Sequence, residues 1–331
     1  MKIIVPFFTV LALILIAYLG AGSDNLKTLF GVVIPYVALV VFILGFINRI
    51  FYWARSPVPF RIPTTCGQQK SMPWIKQDKI DNPSSLLGVM GRMALEVLLF
   101  RSLFRNTKAE LGADGSIAYG SAKWLWLGGI VFHYSFLVVI LRHYRFFVDP
   151  VPSFVVLLEN FDGFFQIMLP TFYLTSIGLL AGATYLLLRR FTTQIKYISQ
   201  PADYFPLFLI LSIAITGIWM RYIDRQDIVS IKAVIQGLVS FSPNHEAMLA
   251  VGATFYIHIF LVCILAMYFP FSKLMHFGGI FLSPTRNLAS NNREIRHINP
   301  WNPDIKIRTY EEYEEEFRDK MKQASLPLEK E

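Results

Sequence analysis

Apolar residues in this chain fall in long runs of about 20, broken by polar and basic stretches. Six runs read as membrane spans, at about 3–20, 32–52, 124–142, 167–188, 204–221 and 247–270. Crossing roughly 30 Å of hydrocarbon at about 1.5 Å per residue takes about 20 residues, and each run has that length. No acidic residue lies in the middle of any of them. Trp53, Trp124, Trp126, Trp219 and Tyr268 stand at their edges, where aromatic belts form. The pattern predicts an all-α integral membrane protein with six transmembrane helices. The first run also has small residues near its end, Ala17, Ala21 and Gly22, as a signal peptide does. Its only base is Lys2 and its apolar stretch is long, so it reads as a retained span.

Composition agrees: 54% of residues are hydrophobic and 16% charged, against about 25% charged in ordinary soluble domains. The net charge of +8 would suggest nucleic acid in a soluble protein, but its placement points elsewhere. Taking alternate loops, 25 of the 31 Lys and Arg fall on the side of both termini and of loop 53–123, and 6 on the other. The positive-inside rule then puts both termini and that loop in the cytoplasm, and no nucleic-acid partner is expected. The reading is a multi-pass protein of the cytoplasmic membrane.

Residues 1–52 form two N-terminal spans, 53–123 a cytoplasmic loop, 124–285 a four-helix unit and 286–331 a cytoplasmic tail. The loop opens Pro-rich and basic ("RSPVPFRIPTTCGQQK"), which opposes regular helix. "SSLLGVMGRMALEVLLFRSLFRN" follows and reads as an amphipathic helix against the membrane or a partner. "VPSFVVLL" and "IVSIKAVIQGLVSF" in the outer loops are too short to span and are expected to pack over the outer bundle end. In the tail, "NPWNPD" suggests an extended strap and "TYEEYEEEFRDKMKQ" a short charged helix. Cys66 and Cys263 lie far apart and make no readable disulfide or metal motif.

Four of the six histidines lie in or just beyond two spans: His133 and His143, ten apart, and His258 and His276, 18 apart. An ionisable group inside a membrane is a functional candidate by default. Neutral imidazole is an axial ligand of haem iron, so two such residues on each of two helices provide two bis-histidine sites. The third span runs outward and the sixth inward. His143 should therefore meet His258 near the outer face, and His133 meet His276 near the inner one. On ideal helices the two spacings rise about 15 Å and about 27 Å, a mismatch that tilt or a bend at Pro270 must absorb. A metal transporter would recruit carboxylates beside its histidines, and none interrupts these spans; a haem-free anchor remains the plain alternative.

His245, beside Glu246 at the outer start of the sixth span, is either an interfacial histidine or a contributor to a quinone head-group site. His297 in the polar tail reads as a surface residue. Arg142, Arg145, Lys273 and Arg286 lie near the levels where haem propionates need cations, and interfacial snorkelling explains them equally.

The His133/His143 and His258/His276 spacings, with "FSKLMHFGGIFLSP" around the last, resemble the gamma subunit of respiratory nitrate reductase over roughly 124–285. That resemblance implies a di-haem cytochrome b bundle. "TTCGQQKSMPWIK", "IDNP" and "GRMALEVLLFRSLFRNT" are similar to the DsrM family, the membrane cytochrome b subunits of the sulfite-reduction-associated electron-transport complex. This second resemblance spans nearly the whole chain. It implies two haem b groups, menaquinone as diffusible substrate and a cytoplasmic iron–sulfur subunit similar to heterodisulfide reductase. It also implies a periplasmic multihaem cytochrome c, a periplasmic iron–sulfur protein and a second quinone-interacting membrane subunit. Membrane subunits of other heterodisulfide or nitrate reductase-type complexes share the same pattern.

Overall fold

The structure is a computed structural model and describes residues 1–57, 61–64, 67–105, 107–164, 170–192, 195–294 and 306–330. Cys66, His297 and the strap at 299–304 lie outside the described residues.

Five helices are long and apolar enough to cross a membrane. They are α1 (Ile4–Ala21), the helical run Asp24–Ala54, the run Lys123–Phe146, the helix Pro201–Tyr222 and the run Ala253–Phe271. The second run passes through a π-turn at Leu29–Val33 into α2 (Ile34–Ala54). The apolar residues on these helices face outward as well as inward: Leu19 is 64% exposed and Leu44 63%. A bundle with so greasy an exterior needs hydrocarbon around it, and the chain is a multi-pass helical membrane protein.

Between α2 and the next span, the loop forms α3 (Leu86–Leu99), capped by the Ser85 hydroxyl accepting from Gly88 N. A hairpin, β1 (Thr107–Leu111) with β2 (Ile117–Ser121), follows in antiparallel register and is the one sheet among the described residues. Its signal was present in Gly112–Ser116, where Asp114 precedes Gly115 at φ +79°.

The remaining helices of ten residues or more are α4 (Lys123–His143), α5 (Ser153–Asp162), α6 (Leu174–Thr192), α7 (Pro201–Tyr222), α8 (Ile228–Val239), α9 (Ala253–Tyr268) and α10 (Tyr310–Gln323). Helix α6 stands where the fourth span was expected, but it ends in Arg189 and Arg190 and is not among the five apolar spans. It packs against α4 on one side and α7 on the other. A Cβ at Gly182 would lie 2.9 Å from the Phe132 backbone, so only glycine lets α4 and α6 approach this closely. Helix α7 packs on α9, and α1 lies against both through Val10, Leu209 and Leu261.

The expected single helix over 247–270 is interrupted twice. Residues His245–Ala250 form a separate short helix, and Gly252 precedes α9. Beyond Tyr268, Phe269–Phe271 is a 3-10 turn around Pro270, which has no N–H to continue the helix. Ser272 is extended and its hydroxyl accepts from Leu274 N, starting a second turn that delivers His276. The 27 Å rise of an unbroken helix therefore does not apply.

The two short apolar pieces expected to pack over a bundle end form α5, which packs on α4, and α8, which packs on residues 144–146 and 245–250. On the opposite face the loop and tail are stitched into one platform. The buried Arg92 donates to the carbonyls of Asp81 (3.0 Å), Arg286 (2.6 and 3.1 Å) and Leu288 (2.9 Å). Burial, then repulsion from Arg286, pulls its guanidinium below the ordinary value, with Glu96 and Asp81 opposing. Asn82, fully buried, closes the Pro-rich segment by bonding Thr64 and Gly67.

Candidate functional site

The structure brings the four membrane histidines together in two pairs. The His143 and His258 rings lie with centroids 6.3 Å apart and planes 9° apart. The His133 and His276 rings are 6.0 Å apart with planes at 87°. An imidazole nitrogen binds a first-row metal such as zinc at about 2.0–2.1 Å, so two rings facing one ion between them have centroids roughly 6 Å apart. Either interplanar angle suits axial ligation, because each ring can rotate about its own metal–nitrogen axis.

The hydrogen bonds select one tautomer at all four rings. His133 Nδ1 bonds Gly129 O and His143 Nδ1 bonds Val139 O, each at 2.7 Å. His276 Nδ1 bonds Lys273 O at 2.9 Å. These acceptors are carbonyls, so Nδ1 carries the proton and Nε2 keeps its lone pair. His258 Nδ1 lies 2.9 Å from Thr216 Oγ1, whose own proton goes to Ser212 O (2.9 Å) or Ile213 O (3.0 Å). Thr216 therefore accepts, and His258 takes the same tautomer. Metal-bound histidines are oriented in this way, with the second nitrogen donating to a carbonyl or its equivalent. A Cβ at Gly217 would sit 3.2 Å from His258 Cε1, so the glycine clears space for this ring. Sequence reasoning missed Thr216 and Gly217, since neither residue type is unusual on an apolar helix.

Among the described residues, no three His, Cys, Asp or Glu side chains gather as a metal-ion site. A haem asks the protein for two axial ligands, and its porphyrin supplies the rest. The donor set therefore fits haem better than a bare ion.

All four cations considered for propionates are engaged with carboxylates. Arg142, buried on α4, pairs with Asp162 on α5 at 3.0 Å, and Arg145 pairs with Glu159 at 2.7 Å. Lys273 pairs with Asp203 at 2.7 Å, and Arg286 with Glu96 at 3.7 Å. Asp162 also accepts from Thr175 N and Oγ1 on α6, and the Arg142 and Arg221 guanidiniums both lie over the Tyr173 ring, 3.8 and 4.3 Å from its centre. The ends of α4, α5, α6 and α7 that lie beside His143 are thereby locked together. His245 is exposed and begins its own short helix.

The fold defines a polytopic helical membrane protein, and its likeness to known proteins gives its cytochrome b-like class. Residues 85–296 match the nitrate reductase gamma subunit family, and the chain belongs to that family. It is 45% identical over 281 residues to the "Hdr-like menaquinol oxidoreductase cytochrome b-like subunit" of Archaeoglobus fulgidus, covering 83% of this chain and 84% of that one. It is 42% identical over 280 residues to the protein of the same description from Archaeoglobus profundus, covering 83% of each.

Proposed function

We propose that this chain is the membrane cytochrome b of a menaquinone-linked electron-transfer complex. His143 with His258, and His133 with His276, each hold one haem b. The single observation that carries the reading is the double pairing: four imidazoles in or just beyond the spans, all with Nε2 free, meet two by two at a metal-bridging separation. The menaquinol oxidoreductase description of both relatives supports the quinone link. Haem iron would supply reversible one-electron chemistry at each pair.

The chain's own residues do the rest. Val139 O and Thr216 fix the outer rings, and Gly129 O and Lys273 O the inner ones. Two sites, one at His143 and His258 and one at His133 and His276 beyond the end of α9, give electrons a path over the hydrocarbon barrier. The charge bias of the loops sets His143 and His258 on the outer side, and α6 serves as the fourth of six spans. Menaquinone exchanges electrons and protons at the outer edge, beneath α5 and α8. The face built from loop 53–123 and tail 283–331 docks a cytoplasmic iron–sulfur subunit similar to heterodisulfide reductase. The quoted loop motifs support a place in sulfite-reduction-associated metabolism. Its other partners would be a periplasmic multihaem cytochrome c, a periplasmic iron–sulfur protein and a second quinone-interacting membrane subunit.

The test is a reduced-minus-oxidised spectrum and pyridine haemochrome of the purified complex. Two haem b per copy of this chain, both low-spin, are expected. Absence of haem, or a single haem, overturns the reading.

A further inference from the structure

Phe100 holds a backbone conformation that its residue type disfavours. It caps the C-terminus of α3 at φ 49° and ψ 44°, the left-handed region where helices commonly place glycine. A phenyl side chain persists there only where its surroundings over-determine it, and such positions cluster at functional sites. The surroundings are on hand. Trp126 Nε1 donates to Leu99 O and the Tyr134 hydroxyl to Leu98 O, both at 2.7 Å, so α4 grips the two carbonyls before Phe100. After it, Ser102 N donates to Glu96 Oε2 at 2.8 Å.

The corner delivers an aromatic ring to a candidate ligand. The Phe100 ring meets His133 edge-on, with centroids 5.0 Å apart and planes at 75°. Phe132 meets the same imidazole at 5.0 Å and 88°. His133 is thus wedged between two phenyl rings while Gly129 O holds its Nδ1. His143, by contrast, has Phe146 tilted beside it at 5.9 Å.

We propose that Phe100 is a positioning residue for the inner site. The wedge fixes the rotation of the His133 ring, keeps it near a right angle to His276, and covers one ring edge against cytoplasmic water. This rests on the proposed ligation of a haem by His133 and His276. The consequence is electronic. When two axial imidazole planes are perpendicular, the iron orbitals that interact with them stay nearly degenerate, and the low-spin ferric signal has a very large maximal g value. Parallel planes split those orbitals and give an ordinary rhombic signal. The inner site should therefore show the first signal and the outer site, at 9°, the second.

EPR and redox titration of the purified complex test this with two variants. Phe100→Gly removes the ring and relieves the backbone; Phe100→Leu keeps an apolar side chain but no aromatic edge. In both, the large-g signal should move towards the rhombic type, and the inner midpoint potential should fall as water reaches the site, with the outer signal unchanged. If Phe100→Gly fails to assemble, Phe100→Leu decides. An inner signal and potential identical to wild type in the assembled variants overturn the proposal and leave the haem reading intact. A wild-type complex with no low-spin bis-imidazole signal overturns the haem reading, and this proposal with it.

Discussion

His143 and His258 stack with their ring planes 9° apart across a 6.3 Å gap, although 115 positions separate them in the sequence. If His143 and His258 share one haem iron, as proposed, their substitutions must fail together. His143→Ala and His258→Ala should each remove the outer haem or turn it high-spin. His133→Ala and His276→Ala should do the same to the inner one, while His245→Ala and His297→Ala keep both. Low-temperature optical spectra and EPR separate the two classes. A phenotype shared by His133 and His258 would mean that the registry of α4 against α9 is wrong.

Thr216 accepts the Nδ1 proton of His258, and such a partner makes the ligand more basic. Greater basicity favours ferric iron. Thr216→Val should raise the midpoint potential of the outer haem and weaken its retention, by about 10–100-fold if it behaves as other such partners do. Thr216→Ser keeps the acceptor and should restore both. An outer potential unchanged in the valine variant would assign Thr216 to packing alone.

Much of this arrangement was legible in the sequence. Runs of 20 apolar residues have few alternatives to membrane helices, and the histidine order on two antiparallel spans leaves little freedom in which rings can meet. What stayed hidden depends on single residues acting against a strong pattern. A bend at Pro270 was readable as one way to absorb the height mismatch, but the full break, with Ser272 starting a second turn before His276, was not. The hairpin at 107–121 is too short to compete with the helical pattern before it, although Asp114 and Gly115 mark its turn. Phe100 in a left-handed conformation has no signal at all, because the usual glycine is absent. Asp162, in an outer loop, could not be assigned to Arg142 without the fold.

That ion pair is nearly closed to solvent, with side-chain exposures of 9% for Arg142 and 3% for Asp162. Breaking a buried pair leaves an uncompensated charge and costs roughly 3–5 kcal/mol. Asp162→Ala should therefore lower the thermal transition of the complex and loosen the outer ends of α4, α5 and α6. A double substitution, Arg142→Met with Asp162→Leu, should be less damaging than either single change. Differential scanning fluorimetry in detergent provides the measure. A double variant as unstable as the worse single one would show that Tyr173 and Thr175, rather than the ion pair, hold this corner.

Arg92 links the loop that follows α2 to residues 286 and 288 through three hydrogen bonds, with a fourth to Asp81 O. Hydrogen bonds to a charged group contribute about 1.5–3 kcal/mol each, and a lysine cannot reproduce the planar fork. Arg92→Ala and Arg92→Lys should both expose the loop to protease while the haem spectrum stays intact. If the platform docks the iron–sulfur partner, these variants should also copurify with less of it. Deleting residues 300–331 and replacing 60–80 by a Gly/Ser linker should release it altogether. Retention of the partner at wild-type affinity in the linker variant would move the docking surface elsewhere.

The outer end of the bundle is where a quinone is expected to bind. Helices α5 and α8 lie over it, and their neighbourhood presents large apolar side chains to the exterior: Phe161 is 70% exposed, Phe164 73% and Phe241 78%. Aromatic and apolar walls with few polar groups are typical of sites for flat ring systems. His143, bonded to Val139 O and bordered by the Arg142–Asp162 pair, stands just below them on α4. A menaquinol analogue such as a hydroxyquinoline N-oxide should shift the spectrum or midpoint potential of the outer haem and leave the inner one unmoved. His245, exposed at the start of its short helix, offers the head group a polar contact. His245→Ala should keep both haems and weaken the analogue's effect. Should the analogue act on the inner haem alone, the site belongs on the cytoplasmic side, near the α3 corner.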